Sequence, residues 1–247
     1  MAAAVRVGVL VVAVAVMVHA IVAAGAPLVE VGRFSAPAAP DALPPGWEPL
    51  AFRSVARHTE YRVVRDGDGW VLRATSDASA SALYRRLDVD AAAYPRLTWR
   101  WKVDNVVATA DARRKTGDDY AARVYVVFRY DAARATTWER TMYRAYRLVY
   151  GTDPPASAIN YVWDNRLPPG TALDNAYTSR AKMLVLRSGT AEIGRWVTET
   201  RNVLDDYRRL IGGDPPRIAA VAVMTDTDDT GERATAWYDA IAFLPPE

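Results

Sequence analysis

The chain has 247 residues, half of them hydrophobic, so it is long enough to bury a full core without metal or disulfide staples. It contains no cysteine, which excludes disulfides, thiolate catalysis and cysteine zinc sites. Its 31 Lys and Arg nearly balance 29 Asp and Glu, and no run of like charge stands out, which argues against a nucleic-acid binder.

The N-terminal segment reads as an export signal. Arg6 supplies positive charge, Val7 to Val18 is continuously apolar, and Val22-Ala23-Ala24 and Ala24-Gly25-Ala26 fit small-residue cleavage sites. Residues 1–26 are therefore expected to be a signal peptide, which places the protein in the periplasm or outside a bacterial cell, with no membrane span after cleavage. An uncleaved anchor is the alternative, because Val5 to Ala24 approaches bilayer length. Residues 27–45, rich in Pro and Ala and running into LPPGW, are expected to form a linker, and residues 46–247 a single domain.

Strand patterns then follow one another. Phe34-Ser35 and Trp47 to Phe52 are candidate first strands, and Thr59 to Val64 with Trp70 to Ala74 form a hairpin around Asp66-Gly67-Asp68-Gly69. Ala82 to Val89 is short and apolar. Leu97 to Val103 alternates, with Leu97, Trp99, Trp101 and Val103 on one face and Thr98, Arg100 and Lys102 on the other. Asp104 to Asp118 has no apolar period and is expected to be a loop. The clearest alternation is Gly117 to Tyr130. There Tyr120, Ala122, Val124, Val126, Phe128 and Tyr130 form an apolar face, while Asp119, Arg123 and Tyr125 lie opposite, with Arg123 and Tyr125 about 7 Å apart at strand rise.

Further strands are predicted over Thr141 to Tyr150, Ala158 to Asn165, Lys182 to Arg187, Trp196 to Asn202, Ile218 to Thr225 and Ala234 to Phe243. Leu167-Pro168-Pro169-Gly170 is a turn. One helix, Asn202 to Ile211, is stopped by Gly212-Gly213 and Pro215. Many short strands and one helix describe an all-β protein, a single antiparallel β-sandwich.

Enzyme signatures are mostly missing. There is no Gly-x-Ser-x-Gly elbow, phosphate loop or His-Glu-x-x-His, and His58 is the one histidine beyond the export segment. No catalytic residue is assigned. Carboxylate chemistry stays open, because a glycosidase needs only two carboxyls roughly 5–10 Å apart, and Asp119 with Asp164 or Glu199 is a candidate pair. Solvated or salt-bridged carboxylates beside Arg123 and Arg201 are the plainer alternative.

Polar residues opposite apolar strand faces carry the functional expectation. Arg100, Lys102, Asp119, Arg123, Tyr125, Asn160, Lys182 and Arg201, with Glu199, are expected to converge on one exposed sheet with a positive bias. Their mix of aromatics, forked arginines and amides suits a polysaccharide or other polar small ligand, an anionic one included. An ordinary hydrated sheet face is the alternative. The acidic loop Asp226 to Glu232 imitates the start of an EF-hand, but the twelfth position is Trp237, so it is not one. Alternation puts Asp239 with Trp237, Ile241 and Phe243, where a lone carboxylate needs an arginine, backbone N–H groups or a cation. Asp226, Asp228 and Asp239 are therefore the expected ligands of a structural Ca2+, and no other cofactor is implied.

The segments LPPGW at 43–47, GDDYAARVYVVF at 117–128, AINYVWDNRLPPGT at 158–171, NAYT at 175–178 and VMTDTDDTGERATAWYDAIAF at 223–243 resemble a bacterial family of exported proteins, domain of unknown function family 3047. That resemblance implies export but assigns no activity. More distantly, the Phe…Trp opening and the closing Trp-Tyr-Asp-x-Ile strand look like the galactose-binding-type jelly roll of carbohydrate-binding modules, a likeness of fold alone. The resulting expectation is a non-catalytic envelope protein that binds a glycan. A carboxylate-dependent glycan-cleaving enzyme and a protein–protein interaction module are the alternatives.

Overall fold

The computed structural model describes residues 27–39, 42–130 and 157–247. Its strands are β1 (Val29–Gly32), β2 (Trp47–Ala51), β3 (Glu60–Asp66), β4 (Gly69–Asp77), β5 (Ser81–Val89), β6 (Arg96–Val103), β7 (Ala122–Phe128), β8 (Ser157–Asp164), β9 (Ala172–Asn175), β10 (Thr178–Ser188), β11 (Val197–Asn202), β12 (Ile218–Met224) and β13 (Arg233–Leu244). The one α-helix among the described residues, α1, is Val203–Leu210. The first sheet runs β11–β6–β13–β4–β3, with β1 added on β13, and the second runs β2–β5–β12–β7–β8–β10–β9. This is the expected jelly-roll-type β-sandwich. The expected export segment and the Thr141 to Tyr150 strand lie outside the described residues.

Alternation builds the core between the sheets. Leu97, Trp99, Trp101 and Val103 of β6 face Val124, Val126 and Phe128 of β7 and Ile159, Tyr161 and Trp163 of β8, all buried. Trp99 meets Tyr161 at a ring separation of 5.2 Å, and Trp101 meets Trp163 edge-on at 5.9 Å. Such pairs contribute about 0.5–1.5 kcal/mol each beyond area burial.

Helix α1 is fastened by the residues that start it. The Asn202 side chain accepts from the Asp205 N–H at 3.1 Å, and Arg208 and Arg209 lie in the last turn, where the dipole favours cations. Asp206, buried in its first turn, accepts from Tyr161 Oη at 2.9 Å and from Arg201 at 2.6 Å. The helix is thereby pinned to β8 and β11.

Four features depart from the sequence reading. Val29–Gly32, inside the expected linker, pairs antiparallel with β13 and buries Val31, so these residues belong to the sandwich. A Cβ at Gly32 would meet Ile241 at 3.1 Å and Trp47 at 3.2 Å, which is why the strand ends on glycine. Phe34 is not in a strand but packs its ring 5.9 Å from that of Trp47. The sandwich is antiparallel except for β8 and β10, which pair in parallel, because the chain leaves β8 through the Pro168–Gly170 turn, forms β9, and returns by a hairpin between the two.

The fourth departure is a bulge in β13. Ala240 has φ +53°, and the register with β6 shifts between Asp239 and Ala242. One extra residue reverses the side-chain phase. Tyr238, Ile241 and Phe243 all point into the core, while Trp237 and Asp239 lie on the outer face with Arg100.

A candidate acidic cleft on the second sheet

On the outer face of the second sheet, β7 presents Arg123 and Tyr125, as its alternation predicts, beside Met224 of β12 and Asn160 of β8. Arg123 is only 2% exposed. Its Nε donates to Asp226 Oδ1 at 2.8 Å, its Nη2 donates to Asp226 Oδ2 and to the Asp118 carbonyl, and its Nη1 donates to Tyr125 Oη at 3.2 Å. The guanidinium also stacks 4.3 Å from the Tyr120 ring centroid. Asp226 accepts in addition from the Tyr120 N–H at 3.3 Å. Burial pushes the Asp226 carboxyl up, against the pull of Arg123, with Asp119 and Asp118 adding to the rise. Burial also pushes the Tyr125 phenol up to about 12, so it is a neutral hydroxyl at physiological pH.

Two loops meet above this pair. Asp119, immediately before β7, accepts from the Asp229 N–H at 3.3 Å and the Thr230 N–H at 2.6 Å, which fixes the acidic loop after β12. Oxygens of Asp119, Asp228 and Asp229 all lie within 4.8 Å of one another. Burial, together with the charge of Asp119, raises the carboxyl pKa of both Asp228 and Asp229.

A cleft of about 330 Å³ opens beside these loops. Phe52, Val55, Met224 and the Tyr125 ring form its apolar wall, and Asp118, Asn175, Asp226, Asp228 and Asp229 supply polar groups. Tyr177 stands at the rim, 56% exposed. Its hydroxyl donates to Asp229 Oδ2 at 2.9 Å, beside the Lys115 carbonyl at 3.0 Å, so the ring is held in place before any ligand arrives. The apolar wall with convergent polar groups is the composition of a small-molecule site.

The expected convergence of eight residues on one sheet does not occur. Asp119, Arg123, Tyr125 and Asn160 gather on the second sheet, but only Tyr125 of these lines the cleft, and Asn160 is fully buried with Nδ2 3.1 Å from Met183 Sδ. Arg100 and Lys102 lie on the outer face of the first sheet, across the sandwich. There Arg100 bonds Asp239 at 2.6 Å and stacks 4.5 Å from the Trp196 ring, while Lys102 bonds Asp66 at 2.8 Å between Trp196 and Trp237. Arg201 serves the helix, and Lys182 pairs with Asp174 of the neighbouring β9.

The metal expectation changes in the same way. Asp239 is compensated by Arg100 and Asp226 by Arg123, so neither joins Asp228, which groups instead with Asp119 and Asp229. Of the carboxylates paired with Asp119 in the sequence, Asp164 accepts the Arg166 and Leu167 N–H groups of its own turn, and Glu199 on β11 takes Arg187 at 2.6 Å. The positive bias is also reversed, since five carboxyls around the cleft outnumber the Arg123 guanidinium and the Lys115 ammonium at the rim. The sequence reading missed Tyr177, Asn175, Asp118 and Asp229. Tyr177 and Asn175 stand in the NAYT segment, whose only signal was an aromatic among small polar residues.

The fold and site thus define an all-β sandwich with an acidic, aromatic-rimmed cleft on one sheet. The chain belongs to the family described as Protein of unknown function (DUF3047), which matches residues 45–242. A search of curated proteins finds no match. Among solved structures, a carbohydrate-binding module specific for non-crystalline cellulose aligns at TM-score 0.38 and 13% identity, covering 86% of this chain and 97% of the module. A β-1,2-glucanase from Parabacteroides distasonis aligns at 0.34 and 13%, over 81% of this chain but 23% of the glucanase. The xyloglucanase domain of NopAA, a type three effector from Sinorhizobium fredii, aligns at 0.32 and 7%, over 81% and 98%. At these scores the likenesses carry no weight on ligand or activity.

Proposed function

We propose that this protein is an exported, non-catalytic binding module whose cleft takes a neutral, polyhydroxylated ligand of the glycan class. One observation carries the reading. A pre-positioned, exposed Tyr177 and an apolar wall lie directly beside carboxylate and amide groups in a cleft of about 330 Å³. A sugar ring offers apolar C–H faces to aromatic rings and hydroxyl donors to carboxylates, so both halves of the cleft are matched. An anionic ligand is disfavoured, because the carboxyls outnumber the Arg123 and Lys115 cations and would repel it. Export is supported by the order of charge, apolar run and small residues up to Ala26.

A second reading is a carboxylate-dependent glycan-cleaving enzyme. It is favoured by the Asp228 carboxyl, which burial and then the charge of Asp119 push up in an open cleft, as a general acid requires. Retention on immobilised neutral and anionic polysaccharides, with reducing ends measured in the same samples, decides between them. Retention on neutral polymers without release supports the binding module. Release lost in Asp228→Asn supports the enzyme, and no retention on any polymer contradicts both.

A further inference from the structure

We propose that Asp119, Asp228 and Asp229 form a divalent-cation site at the mouth of the cleft, of a chemistry suited to Ca2+. This goes beyond the glycan reading and stands whether or not a glycan occupies the cleft. The three residues bring carboxylate oxygens within 4.8 Å of one another from two loops that Asp119 itself clamps together. Asp119 spends one lone pair of each oxygen on a backbone N–H, and a carboxylate has about four such sites, so acceptor capacity remains for a metal.

A second observation points to a ligand independently of that grouping. Asp118, which is 5% exposed, lines the same cleft as Asp228 and Asp229, and its Oδ1 has no hydrogen-bond partner. A buried, unsatisfied carboxylate oxygen costs free energy unless something compensates it. Asn175 and Arg123 serve only the other oxygen, Oδ2, at 2.9 and 3.6 Å. Arg123 is committed to Asp226 and Asp118, and among the described residues no ion pair joins Asp119, Asp228 or Asp229 to a lysine or arginine. Five carboxyls outnumber the Arg123 guanidinium and the Lys115 ammonium, which lies 5.5 Å from the Tyr177 ring, and this excess of negative charge calls for a cation.

The donor set selects the metal class. All the donors are carboxylate oxygens, with no His or Cys, which suits a hard cation. Ligands drawn from two loops, with a cleft open to water, suit the 6–8 oxygens and tolerant geometry of Ca2+ better than the strict octahedron of Mg2+. The buried Asp118 carboxyl adds negative potential from the inner side, and waters complete the coordination from the cleft.

The test is calorimetric titration of CaCl2 into chelator-treated mature protein, with thermal melts run alongside. One saturable site with Kd between about 10 μM and 1 mM is expected. Saturating Ca2+ is expected to raise Tm by about 5 °C. Asp228→Asn, at a partly exposed position, keeps the fold and is expected to weaken Ca2+ binding at least about 10-fold, while Asp239→Asn on the other sheet leaves affinity unchanged. Absence of saturable heat, an equal Tm rise with NaCl at matched ionic strength, or unaltered Ca2+ affinity in Asp228→Asn would each overturn the site.

Discussion

Arg123 and Asp226 clasp each other with both forks of the guanidinium on both carboxylate oxygens, in a setting where the two side chains are 2% and 3% exposed. This pair joins the middle strand of the second sheet to the start of the acidic loop, so the cleft is built around it. Arg123 is consequently a structural residue, and its removal acts on the fold before it acts on any ligand. Arg123→Ala is expected to destabilise by about 3–5 kcal/mol, because Asp226 is left buried without its partner. The double variant Arg123→Met/Asp226→Leu is expected to recover most of that loss. Urea denaturation of the single and double variants checks this, and a double variant no more stable than the single would contradict it.

The bulge at Ala240 makes a second prediction. An alanine at φ +53° sits in the left-handed region, which costs an L-residue roughly 1–2 kcal/mol more than glycine. Ala240→Gly is expected to stabilise by up to about 1 kcal/mol after the added chain entropy of glycine is deducted, and Ala240→Val to destabilise. Thermal melts read both, and a loss of stability in Ala240→Gly would count against the conformation.

Acid sensitivity on the first sheet follows from Asp66. Its carboxyl is held below the usual range chiefly by Lys102 at 2.8 Å, with Trp196 Nε1 at 2.6 Å also donating. A carboxyl depressed in the folded state contributes stability above its unfolded pKa of roughly 3.9, and that stability is lost as pH falls through the lower folded value. The stability gap between the parent and Asp66→Asn is therefore expected to be constant from about pH 7 to 5 and to close below roughly pH 4. Urea denaturation across that range measures it. A gap independent of pH would mean that Asp66 acts only through packing.

Much of the fold was legible because period-two patterns expose both faces of a strand at once. Leu97 to Val103 and Val124 to Phe128 face the core as their alternation predicts. Illegibility begins where one residue changes the phase. Asp239 was assigned to the apolar face because alanine at 240 gives no sign of a left-handed bulge, where glycine would have given one. Strand β9 and the parallel pairing of β8 and β10 were hidden because ALDN is too short to carry a period.

The site was the least legible part. Its donors come from the segment before β7, the hairpin after β9 and the loop after β12, and only the topology places them together. Arg100, Lys102 and Arg123 look alike in sequence, as cations opposite apolar neighbours. Which of them is exposed depends on loops folded over the second sheet and on the partners Asp66, Asp226 and Asp239, all distant in the chain.

Affinity electrophoresis in gels containing neutral polysaccharides compares the two outer faces most directly. Tyr177→Ala removes the exposed ring at the cleft rim, and Lys102→Ala changes the tryptophan-flanked face of the first sheet. For a polymer that retards the parent protein, Tyr177→Ala is expected to weaken binding by about 10-fold or more, as a rigid aromatic anchor does, while Lys102→Ala binds like the parent. Full retention by Tyr177→Ala, with loss in Lys102→Ala, would place the ligand on the first sheet and contradict the assignment of the cleft.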